Sequence, residues 1–281
     1  MNNTDEQEMK MSATKRLRVR FLTLAALSLS GLSGVANAAT FDSVSHIHHI
    51  KVVEKKVLVL THEGLYELAG KNNMKLVGKD KIDVMGLTSL GKVLVASGHP
   101  AQGSKMPNPI GLVRSTDGGL SWKAVSLVGK VDFHSLEGAG SELYGADSQS
   151  GNLLYSADTG KTWRSLGTNT FTDIAVSPDM PEMAVAIKDS KLLLTEDAFK
   201  SKKELKNNFK FTQVEWRNSG LYAVGGNTLY KSLDSGKTWR KLSTFKGETG
   251  ILSASDQLML VTVGADIYTS ANSGKSFKQI S

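Results

Sequence analysis

The chain has 281 residues, no cysteine and a formal net charge of +7. The absence of cysteine excludes disulfide and thiol chemistry and a lipidated cysteine anchor. A surplus this small for the length does not argue for a nucleic-acid partner; it favours at most weak attraction to anionic surfaces or ligands.

In chain order the first feature is basic. Lys10, Lys15, Arg16, Arg18 and Arg20 precede an apolar run from Phe21 to Leu32, and Ala36-Asn37-Ala38 offers a small-x-small cleavage site. This reads as a secretory signal peptide over 1–38, cut after Ala38, with a single domain at 39–281 in the periplasm or outside the cell. The apolar run is shorter than the about 20 residues that span a bilayer, and no second such run follows, so no span is expected in the mature chain. Loss of residues 1–38 lowers the net charge to +5.

Past residue 39, short β-branched and aromatic runs recur. Innermost strands are predicted to start at His46–Ile50, Asp83–Leu87, Asp132–Leu136, Phe171–Ala175, Phe211–Val214 and Glu248–Ile251. Second strands follow at Val57–Leu60, Val93–Ala96, Glu142–Tyr144, Met183–Ile187, Leu221–Val224 and Leu258–Val261. In blade two a proline-rich insertion, Pro100 to Pro109, separates the second and third strands, and a long loop on a rigid blade is a usual place for recognition.

After each third strand comes a recurring corner. It is spelled Ser115-Thr-Asp117-Gly-Gly119-Leu-Ser-Trp122, Ser156-Ala-Asp158-Thr-Gly160-Lys-Thr-Trp163, Ser232-Leu-Asp234-Ser-Gly236-Lys-Thr-Trp239 and, eroded, Ser270-Ala-Asn272-Ser-Gly274-Lys-Ser-Phe277. The aromatic ends lie 41, 76 and 38 residues apart, so one copy is hidden in the double gap: Thr195-Glu-Asp197, without the glycine or the tryptophan. The Asp accepts backbone N–H bonds of the turn and the glycine supplies a positive φ. A period near 40 residues over about 243 residues predicts an all-β, six-bladed β-propeller of four-stranded antiparallel blades, closed by blade-to-blade packing. Seven blades, with the segment around Phe41 completing another sheet, is the alternative count. Lysines 200, 202, 203, 206 and 210 at the altered fourth corner read as a solvated, mobile loop.

The corner resembles the Asp-box, or BNR, repeat shared by sialidases, the sortilin ectodomain and a photosystem II assembly factor. More narrowly, Thr61-His62-Glu-Gly-Leu65, Ser97-Gly-His99-Pro100, Pro109-Ile-Gly-Leu-Val-Arg-Ser115 and Asp132-Phe-His134 resemble a family of exported bacterial propellers often labelled glycosyl hydrolases. The resemblance implies the fold and leaves the function open, because this corner decorates enzymes, receptors and assembly factors alike.

Function is therefore expected at the propeller axis. All six histidines lie in the first half of the chain. Aligning the innermost strands puts His48, Met85 and His134 in one register, with Thr172, Thr212 and Thr249 as counterparts in blades four to six. His62 and His99 end second strands at the same mouth, and His46 shares a strand face with His48. Imidazoles with a thioether suit copper or zinc, with Asp132 and Asp173 as carboxylates for a harder site; the bland alternative is histidines that only hydrogen-bond neighbouring backbone.

Catalysis finds less support. The resemblance to sialidases would need an arginine triad, but Arg114, Arg164 and Arg240 adjoin the corners, and no Arg-Ile-Pro sequence or Gly-x-Ser-x-Gly elbow is present. Carboxylate pairs could assemble only in space, from Asp83, Asp132, Glu137 and Asp173. The sequence thus predicts an exported, monomeric, non-catalytic binding propeller, with a copper or zinc or ligand pocket at His46, His48, His62, Met85, His99 and His134. An unknown protein, peptide or small ligand is expected at the top face. A metal-free interaction scaffold and a glycan-active hydrolase are the alternatives.

Overall fold

The computed structural model describes residues 38–281; the expected signal peptide, apart from Ala38, lies outside them. These residues form six antiparallel sheets and a single short 3-10 turn at Phe41–Ser43. Blade one contains β1 (Ala38–Ala39), β2 (Ile47–Val53), β3 (Lys56–Thr61), β4 (Gly64–Gly70) and β5 (Asn73–Leu76), and blade two β6 (Asp83–Leu90), β7 (Val93–His99), β8 (Leu112–Ser115) and β9 (Lys123–Ser126). Blade three is β10 (Phe133–Ala139), β11 (Glu142–Asp147), β12 (Asn152–Ser156) and β13 (Arg164–Thr168). Blade four is β14 (Asp173–Val176), β15 (Ala184–Lys188), β16 (Lys191–Thr195) and β17 (Lys203–Leu205). Blade five is β18 (Gln213–Arg217), β19 (Gly220–Gly225), β20 (Thr228–Ser232) and β21 (Arg240–Thr244). Blade six is β22 (Thr249–Ala254), β23 (Met259–Val263), β24 (Asp266–Ser270) and β25 (Lys278–Gln279).

The all-β, six-bladed architecture is the predicted one, and every predicted innermost strand overlaps an observed one. Blade one departs from the pattern. Its outer edge gains β1, paired antiparallel with β5 through Ala38–Lys75 and Ala39–Met74, so the segment before Phe41 extends an existing blade and opens no seventh. An edge strand covered in this way presents fewer free backbone groups for unwanted pairing. The first and last blades meet directly. Leu260 and Ile267 of blade six pack with Val57, Val59 and Tyr66 of blade one, and the Val52 N–H donates to Ser253 Oγ at 2.9 Å.

The core lies between blades. Leu58, Leu60 and Leu65 of blade one pack on Val84, Leu87 and Ala96 of blade two, and the same facing arrangement recurs around the ring. Both faces of each sheet are buried this way, so the second strands read as continuous apolar runs rather than alternating ones.

The corners help to hold these layers together. In blade three, Ser156 Oγ accepts the Gly160 N–H at 2.9 Å and donates to Asp158 Oδ1, which accepts the Thr162 N–H at 2.9 Å. Those bonds, led by the Thr162 N–H, hold the Asp158 carboxyl down at about 2. Gly160, at φ +82, lies against Leu112 of the preceding blade, where a Cβ would collide with that side chain. Trp163 closes the turn by donating its indole N–H to Gly160 O at 2.9 Å.

The fourth corner keeps this bonding without the glycine or the tryptophan. Thr195 Oγ1 accepts the Phe199 N–H at 2.9 Å, and Asp197 accepts from both the Ser201 N–H and hydroxyl. Phe199 takes the glycine's place at φ +60 and drives its ring toward Tyr144 and Phe171, at centroid distances of 5.6 and 5.0 Å. Lys202 stands where the tryptophan would be, and its Nζ reaches Phe199 O at 3.5 Å. The five lysines are exposed as expected, but Lys200 and Lys202 lie in a hydrogen-bonded corner that leads into β17, because Thr195, Asp197 and Ser201 close the turn.

Candidate functional site

Antiparallel order fixes two mouths. Innermost strands begin, and second strands end, at one mouth, here called the top; the Asp corners lie at the opposite end of the blades. In blades one to three the innermost strand carries one extra residue at its start. His48 falls between the pairs Ile47–Thr61 and His49–Leu60, Met85 between Val84–Gly98 and Gly86–Ser97, and His134 between Phe133–Asp147 and Ser135–Ala146. A β-bulge re-aims the side chain of its extra residue. The shared register of His48, Met85 and His134 is thus a repeated bulge.

Five of the six residues expected in one axial pocket resolve into two clusters, each completed by a carboxylate, and Met85 joins neither. In the first, His48 Nε2 lies 3.2 Å from His62 Nδ1 and 2.8 Å from Asp83 Oδ1, and His62 Nδ1 lies 2.8 Å from Asp83 Oδ2. His46 stands beside both imidazoles, its ring centroid 4.9 Å from that of His48 and 5.3 Å from that of His62. Burial lowers the pKa of His48 while the neighbouring Asp83 carboxylate pulls it the other way.

In the second cluster, Asp132 Oδ2 lies 2.8 Å from His134 Nε2 and 3.4 Å from His99 Nε2. Ser148 donates its hydroxyl to the same oxygen at 2.8 Å. Asn108, in the blade-two insertion, faces His99 Nδ1 with its Oδ1 at 2.7 Å. The other oxygen of the Asp132 carboxylate, Oδ1, is buried and has no hydrogen-bond partner.

Both clusters sit at blade junctions and share two equivalent positions. His62 and His99 lie at the ends of second strands, and Asp83 and Asp132 at the starts of the following blades. Met85 occupies the bulge of the blade between them. The sixth histidine, His49, is turned away: its Nδ1 accepts its neighbour's Ile50 N–H at 2.8 Å, and burial pushes its pKa down to about 3.

Gly98 is the hinge point of this arrangement. It sits at φ +148 directly before His99, and a Cβ there would overlap the Asp83 carbonyl oxygen. A residue without a side chain lets β7 approach Asp83 closely enough for its carboxylate to meet the histidines of blade one.

Below the top mouth the innermost strands line an axial channel filled with charge. Lys51 of blade one pairs across it with Glu137 of blade three, and Glu215 pairs with Arg217 within blade five. Asp173, expected from the sequence as a candidate ligand, lies here instead. Its oxygens accept the N–H groups of Ile174 at 3.0 Å and Val214 at 2.8 Å, and its pKa is pushed up to about 7, chiefly by burial. The far mouth opens into a cavity of about 210 Å³ lined in part by Glu54, Ser89, Arg217 and Asp256. Among the arginines, Arg114, Arg164 and Arg240 lie on third or fourth strands or beside them, Arg164 stacking over Tyr155 at 4.5 Å.

No family model matches the chain. Among curated proteins it is 26% identical over 179 residues to the photosystem II assembly lipoprotein Ycf48 of Prochlorococcus marinus (strain MIT 9313). That match covers 59% of the chain and 51% of the relative, so the chain spans about half the length of the curated protein it matches. Among solved structures, YCF48 bound to D1 peptide superposes with a TM-score of 0.54 at 16% identity, over 86% of this chain and 83% of that one. The GH74 xyloglucanase of Xanthomonas campestris gives 0.53 at 13% identity, over 83% and 45%. A chain of the nidogen/laminin complex gives 0.55 at 11%, over 84% and 93%. At these identities the structural likenesses bear on fold alone, and they include enzymes and binding proteins alike. The ring of four-stranded sheets and the hydrogen-bonded Asp corners make the chain a six-bladed β-propeller, with sequence similarity to the Ycf48 assembly propellers.

Proposed function

We propose that the chain is an exported, non-catalytic binding or assembly propeller that engages a peptide or protein across its top face, with zinc or copper held by the histidines there. The observation that carries this reading is the gathering of His46, His48, His62, His99 and His134 with Asp83 and Asp132 at one mouth, beside the exposed blade-two insertion. Similarity to an assembly propeller supports the binding role, and the solved YCF48 complex shows that a propeller of this kind takes a peptide. Export rests on the basic and apolar sequence before Ala39. Periplasmic delivery would bring a cysteine-free chain to an oxidising compartment with nothing to oxidise at sulfur except methionine.

A photo-crosslinking residue at Gln102 in the insertion, with another at Lys92 in a hairpin turn at the far end of blade two, tests the assignment of the face. Adducts with a partner are expected from position 102 and none from 92; adducts from 92 alone would place binding on the other face. Cell fractionation with N-terminal sequencing checks for an exported form starting at Ala39. A metal-free scaffold is the second reading, favoured by the satisfied His–Asp contacts within each cluster. Metal analysis of purified protein separates the two. Retention of zinc or copper by wild type, lost in a His48→Ala/His134→Ala double variant, supports the metal reading.

A further inference from the structure

We infer that the top face carries two separate divalent-metal centres built around two shared positions, the first closed and the second open to a donor from outside the chain. This rests on the metal-binding reading above and goes further in number, ligand set and openness. The arrangement is visible in the fold: an imidazole at the end of a second strand, a carboxylate at the start of the next blade, and a β-bulge imidazole that comes from the first of the two blades in one centre (His48) and from the second in the other (His134). It occurs at the junction of blades one and two and again at that of blades two and three. Each set joins side chains from two adjacent blades around one carboxylate.

The distances fit a small tetrahedral ion. Zinc–nitrogen and zinc–oxygen bonds near 2.0–2.1 Å put neighbouring ligand atoms about 3.3–3.4 Å apart. In the first cluster the two imidazole nitrogens are 3.2 Å apart, and each lies 2.8 Å from a different oxygen of Asp83. In the second, the two measured to Asp132 Oδ2 are 2.8 and 3.4 Å. With one ligand atom from each residue within 4.8 Å of the others in both clusters, modest side-chain adjustments would draw the donors onto an ion. Two imidazoles and one carboxylate are a donor set for zinc or divalent copper; a cuprous ion would look for sulfur.

The two centres differ in their fourth position. His46 flanks both imidazoles of the first, its ring centroid 4.9 and 5.3 Å from theirs, and a turn of its side chain would bring a fourth nitrogen that closes that site. In the second, His99, Asp132 and His134 are the three donors among the described residues, and His134 leaves 49% of its side chain exposed. Asn108 accepts from His99 Nδ1–H, a contact that leaves Nε2 free to ligate and orients the ring. Asp132 is the strongest sign of a missing cation. Its side chain is 6% exposed, and its Oδ1 lies buried with no donor in reach. Natural structures seldom leave a buried carboxylate oxygen uncompensated. The ligand class is thus a divalent zinc-type ion at both centres, and at the second an imidazole, amine or carboxylate of a bound partner as the fourth donor.

Zinc titration of the purified protein by calorimetry, with cobalt as the spectroscopic probe, tests this. Two zinc ions per chain are expected for wild type, one for His62→Ala and one for His134→Ala, with unchanged thermal melting of the metal-free forms. Added imidazole should change the visible cobalt spectrum of wild type and of His62→Ala, and leave that of His134→Ala as it was. One ion per chain in wild type, loss of both ions on either single substitution, or a spectrum insensitive to imidazole overturns the two-centre assignment while leaving metal binding standing. No zinc or copper bound at all overturns both this inference and the metal reading beneath it.

Discussion

Gly98 shows how one residue can govern the site without touching it chemically. Its φ of +148 and the Asp83 carbonyl lying where its Cβ would be leave no room for a side chain. Gly98→Ala is expected to cost about 1–3 kcal/mol, from strain and from forcing β6 away from β7. Because the displaced strand carries Asp83, zinc affinity at the first centre should fall with it. Equilibrium unfolding and zinc titration on the same variant check both effects; unchanged affinity despite lost stability would separate the glycine from the site. The register of His48, Met85 and His134 was legible in the sequence because a bulge repeats at the same place in successive blades. The pairing of His62 with Asp83, and of His99 with Asp132, was not legible. It depends on the rotation between blades, which brings the end of one second strand beside the start of the next blade, and spacing along the chain does not encode that rotation. For the same reason Asp173, in register with no histidine of a neighbouring blade, falls in the channel rather than the site.

The corners, at the scale of the element, join two functions that the sequence motif shows as one. Ser or Thr and Asp close the turn; the residue in the glycine position rests on the preceding blade. Gly160 does so on Leu112, Gly236 on Leu192 and Leu205, and Gly274 on Leu229 and Leu242. Phe199 performs the second task differently, by inserting a ring that is 5% exposed among Tyr144, Tyr155 and Phe171 of the preceding blade and its own. Its left-handed backbone carries strain, but the buried aromatic area outweighs it. Phe199→Ala is accordingly expected to destabilise by about 3–4 kcal/mol. Gly160→Ala should destabilise by about 1–3 kcal/mol for the opposite reason, overcrowding against Leu112. Denaturant unfolding measures both, and a neutral Phe199→Ala would mean that the ring fills no essential space. The sequence shows Thr195 and Asp197 as a corner remnant, yet it cannot show that Phe199 replaces lost contacts, because the replacement is made with residues 28 to 55 positions upstream.

Across the whole molecule, six blades converge on one axis, and the channel concentrates charge that each blade alone would leave in water. Lys51 and Glu137 come from blades that are not neighbours, so their pair spans the ring, and each side chain keeps only 14% of its surface exposed. Removing one partner leaves an uncompensated charge in a narrow, desolvated space. Lys51→Met alone is expected to cost about 3–5 kcal/mol, and Lys51→Met with Glu137→Leu to recover most of it. Asp173 gives the channel a pH signature. Burial, reinforced by the carboxylates of Glu137 and Glu215 and opposed by Lys51 and the Val214 N–H, pushes its pKa up to about 7. An unfolded aspartate titrates near 3.9. The folded chain thus holds this proton more tightly than the unfolded one, so the stability it contributes is complete below about pH 4 and is lost as the pH rises through about 7. His49, held neutral with a pKa of about 3, carries the opposite dependence, and that dependence is common to wild type and to Asp173→Asn, both of which keep Lys51. Asp173→Asn retains an acceptor oxygen for the Val214 N–H and cannot ionise. The stability of wild type relative to Asp173→Asn should therefore fall by about 2–4 kcal/mol between pH 4.5 and 7.5 and stay level above that. Paired thermal or urea melts across this range measure it. A difference that does not vary with pH would mean that Asp173 ionises normally and that the channel is wetter than its lining of buried charge implies.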